Sequence, residues 1–298
     1  MKAYRTGGGK ALSASTINTY LDCPLRFYFS AIEELKEEEE VLEGVESREF
    51  GTIFHRVAEW LYDPFCGKPV TGDLLKQRAS QTELTRAIEH AFSELFFRSK
   101  EVQPLSGRHY LIGEVIRKYI EKLIEKDSLL TPFRYIRSEQ KIQYPLRLSN
   151  GTEIQLKGFI DRLDEVDGAI RVVDYKTGSV IKLDVKSMES LFDPTAENRQ
   201  SAIMQVFMYA YLFSRQDASR PVRPTLYYVR DFFSAGFNPL LSIGKEKEPV
   251  SDFSIYRNAF EDGLRSCLDR IFDPDIPFTQ TSISKVCGYC PFGCVCGR

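Results

Sequence analysis

Asp161, Asp174 and Lys176 are the side chains on which chemistry most plainly converges. Thirteen positions separate the two aspartates, with Asp167-Gly168 midway. Asp-Gly between alternating runs marks a two-residue type I′ hairpin, because both central residues must take positive φ. With those two as the loop, Asp161 falls directly opposite Asp174, their Cβ atoms roughly 4.5–5.5 Å apart, and Lys176 follows on the same face. Like charges directly opposed on a sheet are destabilising, so a hairpin that keeps Asp facing Asp calls for a cation. Lys176 alone would make this a surface salt-bridge cluster; a divalent metal would make it a reactive centre. The same register sets Asp164 against Arg171 as a self-satisfied surface ion pair, whereas the two aspartates border Ile160, Val172 and Val173. That contrast favours the metal.

Other elements must carry this hairpin. Asn150-Gly151 predicts a second two-residue turn, pairing residues 140–149 with 152–161, so that Ser138 to Lys176 reads as a three-stranded antiparallel meander. Pro145 puts the first strand at an edge, and Glu139 then opposes Arg162 in a structural role. Upstream, residues 51–62, 83–99 and 108–126 have helical periodicity and form a helical lobe. Ser13 or Ser15 caps an earlier helix, and Pro24 restarts one after Cys23. Downstream lie a helix over 198–215, a strand from Pro224 to Val229 and a helix from Phe253 to Phe272. The acidic stretch from Glu33 to Glu49 reads as a solvated helix end and linker, and residues 1–12 as a flexible lead-in. Gly7-Gly8-Gly9-Lys10 is not a phosphate loop, since Ala11 stands where Ser or Thr is needed and no strand precedes it.

Composition bounds the function without choosing it. A chain of 298 residues, 43% hydrophobic, can bury roughly three quarters of its unfolded surface. The longest apolar run, Ile203 to Phe213, contains Gln205 and is too short to span a bilayer; no signal peptide is visible, and a cytoplasmic protein is expected. A net charge of −2 exerts no global pull on nucleic acid, so phosphate binding must come from a local groove and bound metal.

Gly158-Phe159-Ile160-Asp161-Arg162-Leu163-Asp164 followed by Val172-Val173-Asp174-Tyr175-Lys176-Thr177-Gly178 resembles the GxIDRxD…DYKTG signature of RecB/AddB-like PD-(D/E)XK nucleases. Gly51 to His55 matches that family's G-x-x-x-H, and Gln205 with Tyr209 its Q-x-x-x-Y, one helical turn apart. The resemblance implies a restriction-endonuclease-like α/β core in which a mixed central sheet with an antiparallel meander is flanked by helices. A single nuclease domain would then span 13–298, mainly helical over 13–130, with the core at 131–275 and a cysteine-rich tail at 276–298 packing back near Cys23. It further implies Mg²⁺ or Mn²⁺ held by His55, Asp161, Asp174 and the Tyr175 carbonyl. Asp161, Asp174, Lys176, Gln205 and Tyr209 would act in catalysis, with Lys176 orienting the attacking water. The implied activity is exonucleolytic, on single-stranded DNA ends in break processing and recombinational repair. A helicase domain or subunit is the implied companion, the chain itself being the C-terminal part of a longer helicase-nuclease.

Cys287, Cys290 and Cys296, together with Cys23, resemble the split four-cysteine [4Fe–4S] site of AddB-like nucleases, leaving Cys294 spare. Four thiolates at such spacings equally suit structural Zn²⁺. Cys66 and Cys267 read as structural, and His90 and His109 as surface residues. Two other functions compete: a catalytically silent DNA-binding or scaffold module, and a cysteine-centred binding module that the sheet merely supports.

Overall fold

The computed structural model describes residues 1–35, 47–288 and 290–297. The N-terminal half runs β1 (Leu12–Ser13), α1 (Ala14–Asp22), α2 (Pro24–Phe27), α3 (Ser47–Tyr62), β2 (Pro69–Val70), α4 (Gly72–Arg78), α5 (Gln81–Leu95) and α6 (Gly107–Ser128). The meander follows as β3 (Phe133–Arg147), β4 (Glu153–Val166) and β5 (Ala169–Lys176), then β6 (Asp184–Val185), α7 (Ser201–Gln216) and β7 (Val222–Tyr228). A small β8 (Ser242–Ile243) and β9 (Glu248–Pro249) precede α8 (Arg257–Phe272), α9 (Ser284–Cys287) and α10 (Gly293–Cys296).

The main sheet is mixed, in the order β2-β3-β4-β5-β7. Its antiparallel centre is the expected meander; α7 then crosses over and returns the chain as β7, parallel to β5. One face packs under α3, α5 and α6, where Phe54, Phe92, Ile120, Val173 and Tyr175 are buried. The other packs against α1, α7 and α8 through Leu156, Ile160, Val172, Phe207 and Phe260. β5 therefore alternates cleanly, Val173 and Tyr175 to the helical lobe, Ile170 and Val172 to α7, as a strand buried on both faces must.

The two turns of the meander behave differently. Asp167 and Gly168 have φ of 51° and 76°, and β4 pairs with β5 as Arg162 opposite Val173 and Asp164 opposite Arg171, in the expected register. The first turn is longer by one residue. Leu148 N–H donates to Thr152 O, enclosing Ser149, Asn150 and Gly151, and Gly151 alone takes the positive φ, 83°. Leu146 consequently faces Ile154, not residue 155, and Ser138 rather than Glu139 faces Arg162. A slip of one residue exchanges the faces presented by every side chain on the strand, and the assignment of Glu139 to a structural pair with Arg162 is corrected on that ground.

Two further expectations change. Residues 1–12 do not form a loose lead-in: Tyr4 and Leu12 are buried, Arg5 bridges to Ile154, and Leu12 pairs in parallel with Leu156. β5 covers only the second half of β4, so the N-terminal segment occupies the edge left open along the first half. The Asp164–Arg171 pair is buried, not on the surface. The acidic linker falls partly on residues 36–46, outside the described residues, and its end from Ser47 belongs to α3. Pro145 does sit on a strand edge, Ser13 caps α1 by accepting from Thr16 N–H at 3.2 Å, and α2 begins at Pro24.

Candidate active site

The ladder between β4 and β5 stops at Arg162 and Val173, and Asp161 takes over from the backbone there. Its Oδ2 accepts the N–H of Tyr175 at 2.7 Å, so a carboxylate stands where a strand carbonyl would otherwise close the next rung. On β3, Glu139 adopts a φ of 50° directly across from Asp161, between the Ser138–Arg162 and Gln140–Ile160 pairs. Opposite this unusual backbone the parity of β4 changes: Leu156 and Ile160 face α7, whereas Arg162, two residues on, faces the helical lobe. Irregular rungs of this kind re-aim side chains beside functional sites.

His55 approaches from α3. Gly51, one turn earlier, lets the helix start close to the end of β5, since a Cβ there would lie 3.1 Å from the Thr177 hydroxyl oxygen. The imidazole sits with Nδ1 3.4 Å from Asp161 Oδ1 and Nε2 3.2 Å from the Tyr175 carbonyl oxygen. His55, Glu139 and Asp161 each offer a ligand atom, all within 4.8 Å of one another, in a cavity of about 450 Å³ that Lys176 and Phe159 also line. The charges register this crowding. Burial opposes the His55 cation, but Asp161, Asp174 and Glu139 outweigh it and hold the imidazolium up to about 9. Burial and the Asp161 charge push the Glu139 carboxyl up to about 7.

Asp174 heads a second group on the α7 side. Its Oδ2 lies 2.9 Å from Lys176 Nζ, and its Oδ1 accepts from Gln205 Nε2 at 3.2 Å. Gln205 Oε1 accepts from Lys176 Nζ at 3.1 Å while the same Nε2 donates to Tyr209 Oη at 2.7 Å. The amide orientation is thereby dictated: turned over, it would aim its oxygen at a carboxylate and its N–H groups at an ammonium. Gly158 makes room for this arrangement, because a Cβ at that position would fall 2.9 Å from the Tyr209 ring and 3.0 Å from Leu212. Burial raises the Asp174 carboxyl to about 6, Lys176 drawing it down and Asp161 adding to the rise.

His55, Asp161, Asp174, Tyr175, Lys176, Gln205 and Tyr209 thus gather at one end of β4 and β5. The two aspartates do not share a single cluster, however; Asp161 joins His55 and Glu139, and Asp174 joins Lys176 and Gln205. Glu139 was missed as a site residue because only the one-residue register slip and its positive φ bring it across from Asp161. His90 and His109 stay apart, the first beside Glu94, the second against the Phe96 and Phe97 rings.

The resemblance carried by the motifs extends over the chain. The model of the PD-(D/E)XK nuclease superfamily matches residues 11–297. The chain belongs to this superfamily. One component of the ATP-dependent helicase/deoxyribonuclease of Carboxydothermus hydrogenoformans is 29% identical over 187 residues, 59% of this chain and 17% of that protein. Proteins of the same description from Clostridium acetobutylicum and Staphylococcus haemolyticus are 23% and 26% identical over 189 and 196 residues, again 59% of this chain and 16% of theirs. The matches span about a sixth of these relatives' length. The mixed sheet flanked by helices agrees with the restriction-endonuclease-like fold expected of this superfamily. Among the described residues no helix is long and apolar enough to cross a membrane.

The C-terminal tail returns to α2. Leu25 N–H donates to Thr279 O at 3.0 Å, and Phe29 meets Phe292 edge to face at 5.4 Å. Cys23, Cys287, Cys290 and Cys296 line one small cavity, while Cys294 is exposed and outside it. Their thiols do not converge as tightly as the His55 group.

Proposed function

We propose that this nuclease-family chain is a Mg²⁺- or Mn²⁺-dependent deoxyribonuclease that trims single-stranded DNA ends in double-strand-break processing and recombinational repair, beside a helicase domain or subunit. The observation that carries the reading is the convergence of His55, Glu139 and Asp161 within 4.8 Å, next to the Asp174–Lys176–Gln205 group. One imidazole and two carboxylates form a donor set suited to a hard divalent ion. His55, Glu139 and Asp161 would hold it, with Asp174 and the Tyr175 carbonyl adjoining. A bound ion supplies the Lewis acidity that polarises a phosphodiester oxygen and acidifies the attacking water. Lys176, held by Asp174 and Gln205, orients that water and places positive charge beside the phosphate. Gln205 keeps the ammonium on its aim, and Tyr209 keeps Gln205. The deoxyribose preference and the helicase companion are supported by the description shared by the relatives above.

Cys23, Cys287, Cys290 and Cys296 hold a [4Fe–4S] cluster on this reading, supported by their common cavity and the outward position of Cys294. Its role is that of a staple, tying residue 23 to the end of the chain. Labelled single-stranded DNA incubated with Mn²⁺, with and without chelator, tests the hydrolytic reading. Chelator-sensitive cleavage of linear but not circular strands is expected; undiminished cleavage by Asp174→Ala overturns the assigned site.

A further inference from the structure

We propose that the outward face of the β3–β4 ribbon is the track on which the DNA strand lies, leading from the cavity of His55 and Asp161 to a basin at the N-terminal segment. The inference rests on the nuclease reading and adds where the rest of the strand goes. Along β4, alternation turns Gln155, Lys157 and Phe159 outward, and the row runs directly into Asp161. Phe159 lines the cavity of the acidic cluster, and Gln155 and Lys157 line a larger one of about 790 Å³ whose opposite wall includes Arg5 and Lys10. Six residues of strand, about 20 Å, therefore connect two concavities. Lys141 stands on β3 directly across from Phe159.

Charge and shape both fit a single strand. Arg5, Lys141 and Lys157 are exposed and make no ion pair among the described residues; Lys10 pairs with Glu34 at the basin's rim. With a net charge of −2, attraction to a polyanion has to be local, and this row is a local source. Phe159 is a large apolar ring left 40% exposed between lysines. A basic groove interrupted by an exposed aromatic ring is the arrangement that follows a phosphate backbone and stacks a base without reading sequence. The N-terminal segment, by pairing with the open edge of β4, builds the basin's far wall and so extends the track beyond the sheet.

Binding of a labelled oligothymidylate, measured by anisotropy in chelator across a salt titration, tests this without requiring turnover. Lys157→Glu and Lys141→Glu should each weaken binding and lower the slope of log K against log salt by at least about 0.7, the share of one phosphate contact on a single strand. Phe159→Ala should weaken binding roughly tenfold and leave the slope unchanged. Lys76→Glu, an equal charge change on exposed α4, should do neither. Absence of wild-type binding, or an effect of Lys76→Glu equal to that of Lys157→Glu, overturns the track. Cleavage in Mn²⁺ is scored separately: track-dependent binding in a protein that cleaves nothing removes the hydrolytic reading and upholds the track, whereas cleavage with binding indifferent to all three substitutions does the reverse.

Discussion

Two charged assemblies occupy the same hairpin, one behind it and one at its open end. Behind it, Arg162 and Arg171 are buried with Asp127 and Asp164, two cations to two anions. Arg171 donates twice to Asp164, at 2.6 and 2.7 Å, and to Tyr227 Oη at 2.8 Å. Arg162 reaches Asp127, Asp164 at 2.6 Å and Tyr175 Oη at 3.2 Å, while Tyr62 and Tyr227 also donate to Asp127. Burial works against the Asp164 carboxylate, yet the two guanidinium groups hold it below the ordinary range. At the open end, Asp161 pairs with His55 and Asp174 with Lys176, Arg56 acts on Glu139 without an ion pair among the described residues, and the Glu139 and Asp174 carboxyls are raised instead. One assembly is closed by the protein's own cations; the other keeps raised carboxyls, for which the proposed divalent ion would be the counter-charge. The closed one anchors the β4–β5 backbone behind the open one, since Arg162 and Tyr175 belong to it and Asp161 and Asp174 are their chain neighbours.

Asp127 is where the two assemblies should differ most in stability. Asp127→Ala leaves two guanidinium groups facing one buried carboxylate, and a loss of about 3–5 kcal/mol is expected, because an uncompensated buried charge is costly. Urea denaturation followed by circular dichroism reads it. If Asp127→Ala and Asp161→Ala cost the same, the distinction between the two assemblies fails. Asp161→Ala, Asp174→Ala and Lys176→Ala should each lower metal-dependent cleavage by at least about a hundredfold, the low end of what positioned proton-handling groups contribute. For the two aspartate variants, the metal-free melting temperature should fall far less than for Asp127→Ala, since the like charge removed offsets the loss of a partner for the Tyr175 N–H, His55 or Lys176.

Cys23→Ser and Cys296→Ser should lose iron and melt earlier by the equivalent of up to about 4–5 kcal/mol, by analogy with a disulfide closing so long a loop. Cys294→Ser should keep both iron and stability. Iron and sulfide assays on anaerobically purified protein decide this, and zinc throughout would remove the cluster.

The open assembly should also respond to pH in a direction the closed one does not. Raised carboxyls at Glu139 and Asp174 penalise the folded state as pH climbs from their ordinary values of 4.5 and 3.8 through about 7 and 6. The raised His55 contributes stability below its ordinary 6.5 that is lost as pH passes about 9. Metal-free stability should therefore decline between pH 5 and 9 while metal affinity rises, with protons released on binding. Calorimetry in buffers of different ionisation enthalpy measures that release, and a pH-independent affinity would contradict it. His55→Ala should weaken affinity and be partly rescued by higher Mn²⁺. The smallest effect is expected from Gln205→Ala and Tyr209→Ala, which should slow turnover with metal affinity retained, about tenfold or more where Gln205 loses its bonds to the charged Lys176 and Asp174 and less where Tyr209 loses its neutral bond to Gln205. Normal turnover in both would reduce that face of α7 to packing.

Much of this molecule is legible in its sequence wherever a local rule suffices. Asp167-Gly168 demanded two positive φ angles, so the turn and the register from Val166–Ala169 to Arg162–Val173 followed from neighbouring residues alone; the expected Asp161–Asp174 rung did not form, because Asp161 turns to the Tyr175 N–H and His55 while Asp174 joins Lys176 and Gln205. The i, i+4 pairing of Gln205 with Tyr209 and the stretch from Gly51 to His55 were equally local, although only the fold shows that both helices end on the same two strands. What the sequence could not decide depended on contacts between distant segments. Asn150-Gly151 is compatible with a two- or a three-residue loop, and the choice is made by the packing of Ile142 and Leu146 into the α7 core, which turns Glu139 from a neighbour of Arg162 into the third acid of the site. Asp127 stands on α6, 35 residues before Arg162, with no spacing rule to join them; burial between two layers makes that pair obligatory, because neither charge can remain there alone.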